Sequence, residues 1–454
     1  MFQLFKTRKQ ENNDLVLGWS ASNNKPIALP ESLRFQHEVV LGIEGTGKSS
    51  IHLLRRITHD LLSLSRGDKR SIVVLEEDGG LLSGAQKQMN RLGITPSQVK
   101  LLNAVDPKFE SGWNPLLEER AAEILSRAIA SSLANCEENL KDFIEHDCRW
   151  MVRLVKAYYS DRANLIYLNR LYSDPRYLAD IVEEMTEREG YRENTEWQTI
   201  TDYFKHHVLD YLEHEDDGIL VPTRYPEGHY YEGLQVVISK HNMMNYEVIR
   251  FFEDITNDKG LMRVLNSTSS FRVSKVLNES KIVFIRTSKH PQYGSFLGNL
   301  FINALSVSFF EKTSSTVELP CFLTIDDAQA YDLSPINYLM DSTVNSEKLS
   351  ISLSFQRYQQ SNHHIIQKVK TITGLKMDYQ SAEAIINIIH SSFQETSSIK
   401  PNELMQLDAG TFVIWTCDTK TARSKGHIAQ APHALNCRYM DGLIASHEAR
   451  KMLL

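Results

Sequence analysis

The strongest chemical signal in this chain is the run Gly42-Ile43-Glu44-Gly45-Thr46-Gly47-Lys48-Ser49. Glycines at these spacings let a backbone curl so that successive N–H groups point inward around phosphate oxygens. A helix opening at Ser49 would turn its N-terminus, with its partial positive charge, toward the same anion. Lys48 supplies a point charge for β- and γ-phosphates, and Ser49 a hydroxyl for a magnesium ion. Gly42, Gly45, Thr46, Gly47, Lys48, Ser49 and Ser50 are therefore the candidate ligands of ATP with Mg2+.

A loop of this kind needs a carboxylate nearby to hold the metal and a group to position the attacking water. The apolar run Cys321-Phe322-Leu323-Thr324-Ile325 ends in Asp326-Asp327 and offers both. Asp326 is assigned the metal side and Asp327 the catalytic side. Asp327 is one methylene shorter than the Glu found in many ATPases, which suggests slower hydrolysis or a differently placed water. A third run, Ile351 to Phe355, leads into Gln356, whose amide can align water or sense the γ-phosphate.

These residues need strands that end side by side. Val39-Val40-Leu41 precedes the glycine loop, and Ser49 to Ser65 has helical spacing through Leu53, Leu54, Ile57, Leu61 and Leu62. Further strands are predicted at 71–75 and 99–102. Strand, helix, strand in that order makes a parallel sheet with helices on its faces. From 117 to 271 the period is helical, clearest at Ala121–Leu133 and Phe143–Tyr159, and the stretch reads as an all-helical insertion. Trp150, Tyr158, Tyr159, Tyr167 and Tyr172 within it read mainly as core. Strands return at 281–285, 321–325, 351–355 and 411–415, with a helix at 296–310. The expected division is 1–116 and 272–454 for the sheet domain and 117–271 for the insertion.

Composition narrows the class. The 454 residues are 42% hydrophobic and 24% charged, with a formal net charge of -7. That is an ordinary globular balance and argues against a broad nucleic-acid-binding surface, while leaving room for a channel lined by a few basic side chains. Cys136, Cys148, Cys321, Cys417 and Cys437 form no CxxC pair and read as buried free thiols. The adjacent His363-His364 face different ways on a helix and suggest no metal site. No apolar run reaches bilayer length, and the start has no secretory h-region. A cytoplasmic protein is expected, with any membrane association made through a partner.

In this order the motifs resemble the FtsK/HerA superfamily of hexameric DNA-pumping ATPases, and most of all the type IV coupling proteins of conjugation, the TraG/TraD and TcpA kinds. The resemblance is carried by the lead-in Pro30-Glu31-Ser32-Leu33-Arg34-Phe35-Gln36-His37, the turn Leu75-Glu76-Glu77-Asp78-Gly79-Gly80-Leu81, the segment Ser111-Gly112-Trp113-Asn114-Pro115-Leu116, the stretch from Ser346-Glu347-Lys348 through Gln356 and Gln360, and the segment Ile365 to Ala384. It implies an α/β, RecA-like P-loop domain with a mostly parallel sheet and an inserted all-α domain. It further implies a homo-hexameric ring, DNA passed through its channel, a relaxase or relaxosome partner, and a type IV secretion channel. An arginine finger would come from a neighbouring subunit, with Arg272, Arg357 and Arg423 as candidates. Membrane-anchored members carry N-terminal transmembrane helices, which are not seen here, and a HerA-type N-terminal barrel has no room before Gly42. Two other readings stay open. One is a HerA-like pump in repair, packaging or defence. The other is a nucleotide-gated docking platform with slow hydrolysis.

Overall fold

Apolar, β-branched runs bounded by turn residues set the strands, and burial on both faces sets the layers. The computed structural model describes residues 14–106, 112–133, 136–269, 271–291, 293–311, 319–343, 346–392, 399–418 and 423–430. Ser111, Cys437 and the chain before Asp14 lie outside the described residues. In chain order the strands are β1 (Leu15–Ser20), β2 (Pro26–Leu29), β3 (Glu38–Leu41), β4 (Ser71–Glu76), β5 (Val99–Asn103), β6 (Leu209–Tyr211), β7 (Glu213–Asp216), β8 (Ile219–Pro222), β9 (Val237–Ser239), β10 (Ile282–Arg286), β11 (Cys321–Ile325), β12 (Leu349–Phe355), β13 (Thr371–Gly374), β14 (Thr411–Asp418) and β15 (Arg423–Gln430). Two compact units form. One draws on Met1–Lys100, Val276–Ile285 and Lys312–Leu454, the other on Leu101–Lys275 and Arg286–Glu311.

The main sheet has the order β2-β1-β15-β14-β13-β3-β12-β11-β4-β10-β5. Strands β13, β3, β12, β11 and β4 run parallel, and β14, β15, β1 and β2 extend the sheet antiparallel. The five parallel strands are buried at every position, as strands covered on both faces must be. In β12, Leu349, Ile351, Leu353 and Phe355 alternate with Ser350, Ser352 and Ser354, so one face is all hydroxyl. Each of these serines finds a partner: Ser350 donates to Arg34 O (3.0 Å), Ser352 to Glu38, and Ser354 to Asp326 Oδ1 (2.5 Å).

Glu38 opens β3, and Arg56 lies on the helix Leu54–Ser65 that follows the glycine loop. Both side chains are wholly buried, and Arg56 Nε donates to Glu38 Oε1. Burial alone would raise the Glu38 carboxyl, but Arg56 and Arg34 hold it below its ordinary range. Arg56→Met removes one partner and leaves a buried charge unmatched. It should cost about 3–5 kcal/mol of stability, read as a lower urea midpoint with an unchanged slope.

The second unit corrects the all-helical expectation for 117–271. The helices Ala121–Ser132 and Glu138–Tyr159 are present, but β6 pairs with β9 and β7 with β8, all antiparallel. The cause is turn chemistry. Asp217 and Gly218 take φ of 48° and 81°, the left-handed pair that a two-residue hairpin turn requires. The helix Phe296–Glu311 belongs to this unit rather than to the sheet domain where the sequence reading put it. It is buried from Phe296 through Ser308, so packing must cover it on all sides.

Two smaller expectations also change. Of the five aromatic residues read mainly as core, only Tyr172 is buried, and the other four are half-exposed. Tyr159 stacks on Tyr167 at 3.9 Å, and Trp150 stacks on Tyr203 at 4.4 Å. Cys148 and Cys321 are buried free thiols, whereas Cys136 and Cys417 are free but partly exposed.

Candidate phosphate site

The glycine loop leaves the carboxyl end of β3 and is tied to both neighbouring strands. Gly42 N donates to Phe355 O at the end of β12 (3.1 Å), and Ile43 N to Lys376 O just past β13 (3.0 Å). A Cβ at Gly42 would sit 2.8 Å from Leu375 Cβ, so only glycine allows this approach. Gly47 has φ 97°, and a Cβ there would meet Ile51 Cδ1 at 2.6 Å. Past Gly47 the chain makes a wide, π-type turn over Lys48–Leu53 before the α-helix begins. Thr46 Oγ1 closes the loop by donating to Ile43 O (2.7 Å).

Lys48 is buried and donates from Nζ to Ile43 O at 3.3 Å. Burial lowers its pKa, while Asp327, Asp326 and Glu44 pull it back up. The net direction is down, so the ammonium stands where a further anion would stabilise it.

Asp326 and Asp327 follow β11 directly, and Gln356 follows β12. Because β3, β12 and β11 are parallel neighbours in that order, their carboxyl ends share one edge of the sheet, the edge at which open α/β sheets bind ligands. The glutamine strand lies between the phosphate-loop strand and the acidic strand. Asp326 is buried. Burial raises its pKa, and hydrogen bonds from Ser354 and Ser49 oppose that rise. Gln356 Nε2 donates to Asp327 Oδ2 (3.2 Å). The remaining oxygen, Asp327 Oδ1, is buried with no hydrogen-bond partner among the described residues.

Asp327 has φ 47° and ψ 54°. Asp and Asn tolerate this left-handed region better than longer side chains do. The departure from glutamate at this position thus has a local cause in the backbone.

Two residues here were not read from the sequence. Ser354 donates to Asp326 Oδ1 and accepts from Asp327 N (2.8 Å), so one hydroxyl holds the Asp326 carboxylate and the Asp327 backbone. The Leu/Ser alternation of β12 was the signal that could have found it. Gln329 Oε1 accepts from Gln356 N (3.4 Å), and nothing in its spacing marks it.

Glu76, Trp113 and Asn114, from two of the other motifs, make structural hydrogen bonds. Glu76 accepts from Leu81 N (2.9 Å) and Leu82 N (2.6 Å), capping the helix Gly80–Leu92. Asn114 caps the turn Pro115–Leu117 and donates to Ala163 O (2.8 Å), while Trp113 Nε1 donates to Glu118 (2.7 Å). Arg272 donates to Ser269 O and Phe271 O. Arg357 is exposed one residue past Gln356, and Arg423 opens β15.

The donor set suits a hard divalent cation that keeps most of its ligands from phosphate and water. It offers the Ser49 hydroxyl and the Asp326 carboxylate. Among the described residues no cluster of three or more His, Cys, Asp or Glu side chains could cage a metal. None of the described helices is long and apolar enough to cross a membrane.

No protein-family model matches the sequence, and no curated protein matches it. Solved structures do match. The plasmid coupling protein TrwB in complex with a non-hydrolysable ATP analogue aligns over 94% of this chain and 91% of its own, at TM-score 0.59 and 14% identity. TrwB with ADP and Mg2+ aligns over 89% and 88%, at 0.58 and 12%. VirB4 of Thermoanaerobacter pseudethanolicus aligns over 93% and 98%, at 0.52 and 11%. This chain shares, over nearly its whole length, the RecA-like P-loop fold of the coupling protein TrwB and of VirB4.

Proposed function

We infer that this chain is an ATP-driven motor that moves DNA, acting as the coupling protein that delivers DNA or a relaxase–DNA complex to a type IV secretion channel. One observation carries the reading. Lys48, Ser49, Asp326, Asp327 and Gln356 lie at the carboxyl ends of three adjacent parallel strands, in a fold shared nearly end to end with a conjugative coupling protein.

The loop binds the phosphates through N–H groups between Glu44 and Ser50, since those of Gly42 and Ile43 are taken by Phe355 O and Lys376 O, and Lys48 turns from Ile43 O to the β- and γ-oxygens. Ser49 and Asp326 would hold Mg2+ together with phosphate and water, and the ion would supply positive charge against those oxygens. Asp327, with one oxygen on Gln356 and one uncommitted, accepts the proton of the water that attacks phosphorus. Gln356 aligns that water, and Ser354 keeps Asp326 and Asp327 in register. Arg357 is the favoured finger, because a residue that reaches into a neighbouring subunit must be exposed. A hexameric ring would set channel side chains against the DNA backbone without reading sequence.

The test is steady-state ATP hydrolysis with and without single- and double-stranded DNA. Stimulation by about 10-fold or more, lost at high salt as phosphate contacts are screened, is the expected result. Hydrolysis indifferent to both DNA forms would leave the docking-platform reading in its place.

A further inference from the structure

The second unit carries a lobe, from Leu209 to Tyr246, that is built to stay exposed. Backbone bonds knit it together: Leu212 N to Val236 O (3.0 Å), Thr223 N to Leu212 O (2.9 Å) and Tyr225 N to Leu234 O (2.9 Å). Of the fifteen large hydrophobic side chains exposed among the described residues, eight belong to it. Met243 is 93% exposed, Tyr230 84%, Ile219 67% and Leu220 66%. Scattered single hydrophobics need no explanation, whereas these eight fall within one short segment and give the lobe exposed apolar area along its length.

The methionines are held out rather than left loose. Asp147 is wholly buried on the helix Glu138–Tyr159. Its Oδ1 accepts from His241 Nδ1 (2.9 Å) and its Oδ2 from Asn245 Nδ2 (3.0 Å). One buried carboxylate therefore grips the loop on both sides of Met243-Met244. Tyr231 donates to Asp174 (2.6 Å) and roots the other arm. A flexible, polarisable pair on a fixed loop suits adaptable apolar contact.

Charge decides what fits. The lobe holds seven carboxylates against Arg224 and Lys240, a surplus of five in a chain whose net charge is -7. Both cations are engaged within the chain: Arg224 donates to Gly233 O (2.5 Å) and Lys240 to His206 O (3.2 Å). β7, carrying Glu213, Glu215 and Asp216, is exposed at every position. Such a surface repels DNA phosphates and repels a second copy of itself. It complements a cationic polypeptide with apolar side chains.

We propose that the lobe 209–246 docks a basic protein segment. The segment runs along the lobe: its apolar side chains seat on Met243, Met244 and Tyr246 beyond the β6–β9 end, and lysines and arginines further along it face Glu213–Asp217 in the β7–β8 hairpin. The inference rests on the lobe alone and requires nothing of the phosphate site.

The test is fluorescence anisotropy on the full chain with a synthetic peptide that alternates Lys/Arg with Leu and Phe. Two variants are compared with the parent: Met243→Ser with Met244→Ser, and Glu215→Lys with Asp216→Lys. Glu187→Lys with Glu189→Lys makes the same charge change on another exposed stretch. Each lobe variant should weaken the peptide by about 10-fold while the control binds like the parent, with thermal melting and ATP hydrolysis unchanged in all. The proposal is overturned if the control weakens binding as much as the lobe variants do, or if the peptide ignores the lobe changes. It is equally overturned if the parent chain self-associates and the methionine variant abolishes that, because the occupant is then a second copy.

Discussion

Replacing Lys48 with alanine should lower ATP hydrolysis by about 100- to 1,000-fold, the loss expected when one preorganised charge is removed from a phosphoryl-transfer site. The fold should survive, because among the described residues Nζ makes one long bond, to Ile43 O at 3.3 Å. The net lowering of its pKa means that burial, not pairing, dominates the lysine's surroundings, so its removal relieves a cost as well as removing a contact. Stability should therefore stay the same or rise slightly, while nucleotide affinity falls. Urea denaturation alongside a nucleotide-binding titration checks both. Hydrolysis within a few-fold of the parent would remove Lys48 from the site.

The second large effect is at Asp327. Asp327→Asn keeps the side-chain shape and suits φ 47°, and its oxygen can still accept from Gln356. What it loses is the ability to take a proton. The turnover rate should fall by about 100- to 10,000-fold, the range for a general base, with nucleotide affinity nearly unchanged. That split between rate and affinity separates it from Lys48→Ala. Asp327→Glu, although closer to other ATPases in length, should not raise the rate. A longer side chain in the left-handed region costs about 1–2 kcal/mol and moves the carboxylate off the position that its bond from Gln356 defines. Full activity in Asp327→Asn would contradict the assignment.

The parts of the fold that were legible in the sequence were those written in apolar runs. β3, β4, β11 and β12 are buried throughout, so their residues carry the pattern plainly, and the site residues stand directly at their ends. The hairpin β7–β8 was missed because its strands are exposed and have no buried face to impose an alternation. Its signal lay instead in Asp217-Gly218. β1 and β2 were missed for a related reason: they are short and antiparallel, and β2 is an edge strand buried only at Leu29. The order of the strands was not legible at all. Nothing in the sequence places β12 between β3 and β11, yet that order puts Ser354 against the Asp326 carboxylate and the Asp327 N–H.

The most direct test of the central claim, that ATP hydrolysis at this site moves DNA, is displacement of streptavidin from the end of a biotinylated DNA by the purified protein. It is measured with ATP, with a non-hydrolysable analogue, and with Asp327→Asn. Displacement that requires ATP, and is lost with both the analogue and the variant, is the predicted result. Hydrolysis that proceeds on DNA without displacing streptavidin from either end would contradict the motor.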